Sequence, residues 1–583
     1  MRKTKIVCTL GPATDDEKIL EDMMLAGMNV ARFNFSHGTQ ADHLNRMEVL
    51  DRLRRKHNLP VAALLDTKGP EIRIGKFQGG FANLKKGQSF ILTQKNEPGD
   101  ETHVYVNCPL LAQDVKPGAT LLIDDGLVGL TVERVKDGDI YCRVQNDGRL
   151  SDTKGVNAPG TALSMPFVSD KDREDIVFGI HNGFDFIAAS FTRSAEDILQ
   201  IRAILEEEKC SNINIIAKIE NMEGVHNIDE IIKVSDGIMV ARGDMGVEIP
   251  LEDVPVIQKK IIERVYSKGK PVITATQMLD SMIKNPRPTR AEAADVANAI
   301  YDGTSAIMLS GETAAGLYPV EAVKTMAKIA ERAERDIDYD HRSTLSDGRQ
   351  DVTSAISHAT CTTARDIHAQ AIITVTKSGQ TARMVSKFRP ASPIICCTTS
   401  ERVYHQMNLC WGVLPLIIDE KKTTDELFDS AIDAAVDAGL LQSGDLAVIT
   451  AGVPLGISGT TNMMKVQVAG HILVSGRGLN KRTAVAKLCV CKDEKQAQEK
   501  FKDGDILVIP DGSGDLMTIM RRAAGVITEN NSRNSPIAIA GLLLDIPVII
   551  GAANACRLLR SGVTVTVDAE HGIVSAAGKP KAN

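Results

Sequence analysis

Eight short apolar runs within the first 312 residues each end in a polar side chain, and most are separated by segments with helical spacing, such as EKILEDMMLAG. The runs are KIVCTL, NVARFNFSH, VAALLDT, FDFIAAS, INIIAKIE, DGIMVARGD, KPVITATQ and AIMLSGE. Their last polar residues are Thr9, His37, Thr67, Ser190, Glu220, Asp244, Gln277 and Glu312. Eight alternations of strand and helix predict an α/β fold built on a parallel (β/α)8 barrel. Because such barrels carry their catalytic groups at the carboxyl ends of the strands, the pattern predicts an enzyme.

The pattern changes between residues 71 and 166, where short β-like alternations such as LKKGQSFILTQ are separated by glycine turns. We expect an all-β domain inserted into a barrel that comprises residues 1–70 and 167–345. The insertion leaves and rejoins the barrel at the predicted catalytic face, so it is placed to act as a lid.

Two further domains are predicted downstream. Residues 346–472 alternate helix-like and strand-like segments, which is typical of a three-layer α/β domain with an open sheet. Residues 473–583 have glycine-punctuated strands of their own and the apolar run IAIAGLLLDIPVIIGAANA.

Composition limits the partners. A formal net charge of −7 argues against nucleic acid or an anionic membrane as the main partner. The 11 cysteines contain no C-x-x-C pair, which favours reduced thiols in a cytoplasmic protein. There is no signal-peptide pattern and no apolar stretch of the roughly 20 residues that cross a bilayer.

The first chemical cluster lies in ARFNFSHG. Strand alternation places Arg32, Asn34 and Ser36 on one face, where an arginine, an amide and a hydroxyl suit an anion together with a hard cation. The alternative is a polar, charge-balanced barrel interior.

The second cluster is DTKGPEIR. Arg73 can hold a phosphate with two hydrogen bonds, whereas Asp66 and Glu71 can supply oxygen ligands to a cation. The alternative is a solvated turn.

The third cluster ends two successive strands. Glu220 and Asp244 can share one Mg²⁺ because neighbouring strands are about 4.8 Å apart. Lys218 points to the same side as Glu220, where its charge suits a transferred phosphoryl group or an enolate. The alternative is a salt bridge between Lys218 and Glu220. Hydroxyls at Thr276 and Ser310 could position a carboxylate or relay a proton.

The motifs ARFNFSHG, LLDTKGPEIR, GVNAPG, AKIEN, ARGDMGVE, TATQMLDSM, RPTRAEAADVANA and MLSGETAAG stand in the order of the pyruvate kinase family across residues 1–473, and the chain resembles that family. The resemblance implies transfer of a phosphoryl group from phosphoenolpyruvate to ADP, giving pyruvate and ATP. It also implies Mg²⁺ (or Mn²⁺), K⁺, a phosphorylated allosteric effector and a homotetramer.

The resemblance also assigns roles to individual residues. It implies a divalent metal site at Glu220 and Asp244 and a potassium site at Asn34, Ser36, Asp66 and the carbonyl of Thr67. It implies phosphoryl contacts from Arg73 and Lys218, and nucleotide contacts from Arg32, His37, Lys171 and Arg73, with Arg32 also near the substrate. It implies a cradle for the substrate carboxylate at Gly243, Asp244 and Thr276, with Thr276 and Ser310 as candidates for the proton relay to the enolate.

Two other interpretations remain open. A metal-enolate lyase or aldolase would use the same Glu220–Asp244 pair but would not need Arg73, a lid domain or a K⁺ site. A non-enzymatic metabolite-binding module is the second.

An effector site is predicted after the strand AIITV. The segment TKSGQT contains Thr376, Lys377, Ser378, Gly379 and Thr381 at the start of a helix, where free amides favour phosphate, and it resembles the family's effector loop. Sugar phosphates and nucleotide monophosphates both fit, and a simple capped turn is the alternative.

The last domain resembles the phosphohistidine swivel domain of phosphoenolpyruvate-utilising enzymes. Ser535 matches a serine of that motif, but Pro536 stands in place of the histidine, and Asn530 and Asn531 stand in place of glycines. Proline has no nucleophilic atom, so we expect a packing or assembly role instead of a phosphocarrier role.

Overall fold

The computed structural model describes residues 1–339, 351–421, 423–442, 444–453, 461–470 and 472–576. The chain divides into two compact units. Unit 1 comprises Met1–Gln350, Ser378–Pro390 and Ser400–Pro415, and unit 2 comprises Asp351–Lys377, Ala391–Thr399 and Leu416–Asn583.

The chain starts with three strands and two helices of unit 1. They are β1 (Lys5–Leu10), α1 (Glu17–Ala26), β2 (Val30–Asn34), α2 (Gln40–His57) and β3 (Ala62–Asp66), with a 3₁₀ turn at Pro12–Thr14. The insertion follows with β4 (Phe81–Leu84), β5 (Ser89–Thr93), β6 (His103–Tyr105), α3 (Leu111–Asp114), β7 (Thr120–Ile123), β8 (Val128–Lys136), β9 (Asp139–Val144), β10 (Gly148–Ser151) and β11 (Val156–Asn157).

The strand and helix alternation then resumes. Its elements are α4 (Asp170–His181), β12 (Phe186–Ala189), α5 (Ala195–Glu207), β13 (Asn214–Ile219), α6 (Met222–His226), α7 (Ile228–Val234), β14 (Gly237–Ala241), α8 (Arg242–Glu248), α9 (Val254–Ser267), β15 (Val272–Ala275), a 3₁₀ turn at Asp280–Ile283, α10 (Arg290–Asp302), β16 (Ala306–Leu309), α11 (Gly311–Ala314) and α12 (Pro319–Glu334).

The rest of the chain continues the alternation. Up to residue 468 it contains α13 (Val352–Asp366), β17 (Ala371–Val375), α14 (Gln380–Lys387), β18 (Ile394–Thr398), α15 (Glu401–Met407), β19 (Val413–Ile417), α16 (Thr424–Asp437), β20 (Leu446–Gly452) and β21 (Thr461–Val468). The tail contains β22 (Ile472–Ser475), β23 (Arg477–Gly478), β24 (Thr483–Val490), α17 (Glu494–Lys500), β25 (Ile506–Ile509), a 3₁₀ turn at Gly514–Leu516, α18 (Met517–Met520), β26 (Gly525–Thr528), α19 (Pro536–Leu543), β27 (Val548–Ile550), α20 (Ala555–Leu558), β28 (Thr564–Asp568) and β29 (Ile573–Ala576).

Within the described part of unit 1, eight parallel strands close into a barrel in the order β1-β16-β15-β14-β13-β12-β3-β2. Their residues are almost all buried and apolar, as expected for strands covered on both faces. The predicted α/β fold with a (β/α)8 barrel is therefore confirmed. The register sets Asn34 opposite Asp66 and Thr9 opposite Arg32, so the predicted polar residues meet at one end of the barrel.

Local sequence signals set the limits of the barrel helices. Capping boxes begin four of them, at Thr39 with Asp42, Ser169 with Asp172, Ser194 with Asp197, and Thr289 with Glu292. Left-handed residues end three, at Gly27, Asn58 and Gly303.

The insertion is β-rich and has its own apolar core. Its larger sheet has the order β11-β7-β8-β9-β5-β6, and β10 pairs with β4. Asn157 at the end of β11 donates a hydrogen bond of 2.8 Å to Glu248 of α8, so the insertion contacts the helix that follows β14.

Two sheets follow the barrel in sequence. One has the order β19-β18-β17-β20-β21, with β21 antiparallel to β20. The tail forms a mixed sheet in the order β22-β29-β28-β24-β25-β26-β27-β23 with its own core. Among the helices that the structure describes, none has the length and apolar character needed to span a bilayer.

Candidate active site

A buried group of charges lies at the carboxyl ends of β2, β3 and β13. Asp66, which is fully buried, accepts a hydrogen bond of 2.6 Å from Arg32 Nε and lies 3.1 Å from Lys218 Nζ. Arg32 also donates to the hydroxyl of Thr9 at 2.9 Å. One carboxylate thus joins two cations that lie far apart in the sequence.

The ammonium group of Lys218 has three oxygen partners. Its Nζ lies 3.1 Å from Asp66 Oδ1, 2.8 Å from Ser190 Oγ and 3.0 Å from Glu220 Oε1. The Lys218–Glu220 salt bridge that the sequence offered as an alternative is therefore present, as one contact within a larger network.

The network fixes the charge states of its members. Burial works against ionisation of Asp66, but Arg32 and Lys218 outweigh it and hold the pKa of that carboxyl below its usual value. Burial also opposes the charge on Lys218, yet Asp66 and Glu220 raise the pKa of the ammonium above its usual value. Burial raises the pKa of Glu220 to about 7, although Lys218 acts in the opposite direction. Lys218 is therefore a fixed cation at neutral pH.

Glu220 and Asp244 fit a divalent metal by their chemistry. Glu220 follows β13, and Asp244 lies in the first turn of α8, directly after the neighbouring strand β14. Glu220 accepts from Lys218 and from the backbone N–H of Phe191. The carboxylate of Asp244 lines a cleft and has no hydrogen bond or ion pair with a side chain of the described ranges. Two carboxylates, one of them open to the cleft, are what Mg²⁺ accepts when it keeps water and substrate oxygens. A cluster of three or more metal-binding side chains is absent from the described residues.

The oxygens expected to bind K⁺ lie at the ends of β2 and β3. Asn34 Oδ1 accepts from the backbone N–H of Ser36 at 3.2 Å, and the carbonyl of Thr67 accepts from Ser190 Oγ at 2.7 Å. The carboxylate of Asp66 is shared with Arg32 and Lys218. The donor set of amide, hydroxyl, carboxylate and carbonyl oxygens suits a hard monovalent cation.

Thr276 and Gly243 form the end of β15 and the start of α8. The backbone N–H of Gly243 donates to Thr276 Oγ1 at 2.7 Å, and that hydroxyl donates to the carbonyl of Ala275 at 2.6 Å. Thr276 and Gln277 both have left-handed backbones, with φ of 65° and 53°. This conformation is unusual for a β-branched residue, and such strain clusters at functional sites.

Ser310 stands at the end of β16, before α11. Its backbone N–H donates to Glu312 at 2.7 Å. Its hydroxyl oxygen is buried and has no hydrogen-bond partner among the described residues. A buried hydroxyl without a partner keeps its donor and acceptor capacity for another molecule.

The remaining predicted residues lie around this network. Arg73 pairs with Glu71 at 2.6 Å and donates to the carbonyl of Thr153 in the insertion. His37 is exposed, and Lys171 pairs with Asp175 one helical turn away at 2.7 Å.

A cleft of about 330 Å³ separates the insertion from the barrel. The insertion contributes Asn157 and Leu163, and the barrel contributes Asp244 and Glu248. Phe191, whose backbone N–H donates to Glu220 of the network, also lines the cleft.

Two predicted segments lie elsewhere in the chain. The predicted effector segment runs from Thr376, which follows β17, through Ser378 to Thr381 in the first turn of α14. Within it, Lys377 pairs with Glu420 at 2.6 Å, and Gly379 caps α14 with a φ of 76°. In the tail, Ser535 caps α19 through Ala538 N, and Pro536 is the first residue of that helix.

Sequence reasoning assigned no role to Ser190, Phe191 and Arg242. Ser190 and Phe191 contact Lys218 and Glu220, and Arg242 donates to the carbonyl of Thr276 at 2.8 Å. Ser190 was visible as the polar end of its strand, but nothing in the pattern marks a backbone N–H such as that of Phe191.

Comparisons with known proteins cover most of the chain. The family "Pyruvate kinase, barrel domain" matches residues 1–323, "Pyruvate kinase, alpha/beta domain" matches residues 354–467, and "PEP-utilising enzyme, mobile domain" matches residues 501–572. The chain is 50% identical to the pyruvate kinase of Geobacillus stearothermophilus over 579 residues, and 48% identical to that of Sporosarcina psychrophila over 580 residues. These alignments cover 98% of this chain in both cases and 98% and 99% of the relatives. A solved pyruvate kinase structure from Cryptosporidium parvum is 40% identical, with a TM-score of 0.76, over 80% of this chain and 96% of that one.

Proposed function

The chain belongs to the pyruvate kinase family, and from this membership we propose that its strand-end network transfers the phosphoryl group of phosphoenolpyruvate to ADP, giving pyruvate and ATP. The observation that supports this assignment most is Lys218, a buried cation fixed between Asp66 and Glu220. Phosphoryl transfer depends on positioning and charge neutralisation instead of a covalent nucleophile, and a fixed ammonium supplies both.

Lys218 and Arg73 act on the moving phosphoryl group. Lys218 is already oriented by its three contacts. Arg73, which now pairs with Glu71, would exchange that partner for phosphoryl oxygens, to which a guanidinium can donate two hydrogen bonds. Transfer to ADP leaves the enolate of pyruvate, which must gain one proton.

Thr276 and Gly243 bind the substrate carboxylate, with the N–H of Gly243 as a donor beside Asp244. The enolate proton comes through a hydroxyl relay in which Ser310 takes part, because its hydroxyl is buried and has no partner in the described structure.

Pyruvate kinases use a divalent metal and K⁺. We propose Glu220 and Asp244 as ligands of Mg²⁺ or Mn²⁺, and the potassium ligands are Asn34, Ser36, Asp66 and the carbonyl of Thr67. When bound, these cations offset the negative charge of the phosphates and of the enolate. The hydrogen bonds among the strand-end residues hold these ligand oxygens in place before substrate binds.

The nucleotide contacts are Arg32, His37, Lys171 and Arg73. Exposure of His37 and the outward position of Lys171 leave both side chains accessible to a ligand. Arg32 is buried and bound to Asp66 and Thr9, so a contact with nucleotide or substrate would have to be made from within the network.

The domain plan is part of the same proposal. Residues 1–70 and 167–345 form the catalytic barrel, 71–166 the lid, 346–472 the regulatory domain and 473–583 a swivel-like domain without a histidine. The segment Thr376–Thr381 stays a prediction for the phosphate of an effector. A cytoplasmic homotetramer stays a prediction as well.

The comparisons give no support to the lyase or aldolase alternative. The experiment is a coupled assay of pyruvate release from phosphoenolpyruvate with Mg²⁺ and K⁺, with and without ADP. We expect release only with ADP and with one ATP formed per pyruvate. Release without ADP, or cleavage of carbon–carbon bonds in other substrates, would overturn the assignment.

A further inference from the structure

Each of the three N–H bonds of Lys218 has an acceptor within 3.1 Å, and only one acceptor is neutral. Asp66 and Glu220 are carboxylates, and the third acceptor is the hydroxyl of Ser190. Ser190 ends β12, which lies between β3 and β13 in the barrel. The serine therefore stands between the strands that carry Asp66 and Lys218.

Ser190 is itself held firmly. It is 2% exposed, its hydroxyl lies 2.7 Å from the carbonyl of Thr67 and 3.0 Å from Asp66 Oδ1, and its backbone N–H donates to Thr67 Oγ1 at 3.2 Å. A hydroxyl has one proton, so it donates to one of these oxygens and keeps its lone pairs for Lys218.

The turn after β3 packs against this serine. A Cβ added to Gly69 would lie 2.9 Å from Ser190 Cβ, and Gly69 has a φ of 72°. Only glycine combines that backbone with so close an approach. Ser190 is thus held by Thr67 and by the chain around Gly69 in addition to its contact with Lys218.

The three acceptors of the Lys218 ammonium differ in whether they also serve a bound cation. Under the proposed function, on which this inference rests, Asp66 and Glu220 each share their oxygens with a cation. Ser190 carries no charge and is attached to the scaffold through Thr67, so it remains available to Lys218.

We propose that Ser190 is a positioning residue: its hydroxyl holds the ammonium of Lys218 in place for phosphoryl transfer when the two carboxylates are shared with cations. Without it, Lys218 keeps its charge but loses its fixed orientation. Misplacement of a catalytic group by about 1 Å costs about 100-fold in rate.

The first test is Ser190→Ala, which removes the hydroxyl without adding volume. We expect kcat to fall about 10- to 100-fold, while the KM for phosphoenolpyruvate stays within about 3-fold, because the interaction matters most in the transition state. Equilibrium binding of 2-phosphoglycolate, which carries a carboxylate and a phosphate but transfers nothing, should change equally little. Binding of Mn²⁺ to the enzyme without substrate, followed by equilibrium dialysis, should remain as in the wild type.

Thr192→Ala is the matched control. Thr192 is fully buried two residues further along, and its hydroxyl donates to the carbonyl of Ala189 at 2.8 Å. Its backbone N–H donates to the backbone carbonyl of Lys218 at 3.2 Å, a contact that alanine keeps. Both variants lose one buried hydroxyl, but Thr192→Ala should keep kcat within about 2-fold, because its hydroxyl is not among the three acceptors of the Lys218 ammonium. An equal fall in kcat in both variants would mean that Ser190 has only a structural role and would overturn the proposal.

A double-mutant cycle identifies the partner. If Ser190 acts through Lys218, Ser190→Ala should change kcat less than about 2-fold in a Lys218→Met background, because the two effects then share one cause. If Ser190→Ala lowers kcat by its full factor in that background, or if a raised K⁺ concentration restores the kcat of the Ser190→Ala enzyme, the proposal is overturned. If wild-type enzyme releases no pyruvate, the proposed function fails instead, so the two failures are distinct.

Discussion

Replacement of Lys218 by methionine tests the centre of the mechanism. Methionine has a similar length and no charge, so it removes the ammonium from Asp66, Ser190 and Glu220 with little change in volume. Asp66 keeps Arg32 at 2.6 Å, and Glu220 keeps the backbone N–H of Phe191. Asp66 also keeps the hydroxyl of Ser190 at 3.0 Å, so both carboxylates retain at least one partner.

The size of the effect follows from charge and distance. A unit charge about 4 Å away at an effective dielectric of about 20 contributes about 4 kcal/mol. If most of this acts on the transition state, kcat falls by about 1000-fold, since 1.36 kcal/mol corresponds to a factor of ten. Removing one partner of a buried pair costs about 3–5 kcal/mol in folding free energy. The true cost should be smaller here, because Glu220, whose pKa is already about 7, can take up a proton.

The assay measures kcat at saturating phosphoenolpyruvate, ADP, Mg²⁺ and K⁺, with thermal unfolding followed in parallel. Lys5→Met is the matched control: Lys5 is a buried barrel lysine in β1 that donates to the carbonyl of Val413 at 2.6 Å. We expect the control to lose stability but to keep kcat within about 3-fold, since its ammonium binds the carbonyl of Val413 and none of the described members of the Lys218 network. A Lys218→Met enzyme with kcat within tenfold of the wild type, or an equal loss in the control, would refute the reasoning.

Three more outcomes are expected. Activity should require K⁺. A lysine at position 71 could replace the charge of the ion, but this chain has a glutamate there; equal turnover in K⁺ and tetramethylammonium salts would contradict this. Asn157→Ala should raise the KM for phosphoenolpyruvate by up to about 5-fold with little change in stability. The substitution removes the hydrogen bond from the insertion to Glu248 of the barrel, which is worth about 1 kcal/mol. An unchanged KM in steady-state assays would count against a lid role for that contact. A chain ending at residue 470 should keep most of its kcat while its thermal stability or effector response changes. The full chain incubated with phosphoenolpyruvate should hold no acid-labile phosphate, because Pro536 has no nucleophilic atom. Inactivity of a well-folded truncation, or phosphate on the tail, would contradict this prediction.

Much of the site can be predicted because its parts lie within single strands. The period of two along β2 puts Arg32 and Asn34 on one face, and the same rule pairs Lys218 with Glu220. The step from Glu220 to Asp244 needs only the assumption that successive parallel strands are neighbours, which holds for β13 and β14.

The contacts that the sequence did not reveal all depend on strand order and on backbone atoms. Asp66 and Lys218 lie 152 positions apart on β3 and β13, and they meet across β12, the strand that follows the inserted domain. The ion pair of Arg73 with Glu71 is a local exception: the sequence places both in one cluster, but it assigns the arginine to a phosphate and the glutamate to a cation. Ser190 was among the polar strand ends, but a neutral hydroxyl carries no charge pattern that would select it.

The start of α19 in the tail accommodates Pro536. The first turn of a helix tolerates proline, because the N–H that proline lacks has no partner within the helix there. Pro536 fills that position in α19, Ser535 still caps the helix, and the sheet from β22 to β29 keeps an apolar core of its own. A proline at this position therefore costs the helix no internal hydrogen bond. Since β21, the last strand of the preceding sheet, ends at Val468, the described residues of the tail contribute no strand to that sheet. The tail buries its apolar side chains in cores of its own, which is the packing role that we expect of it in place of a phosphocarrier role.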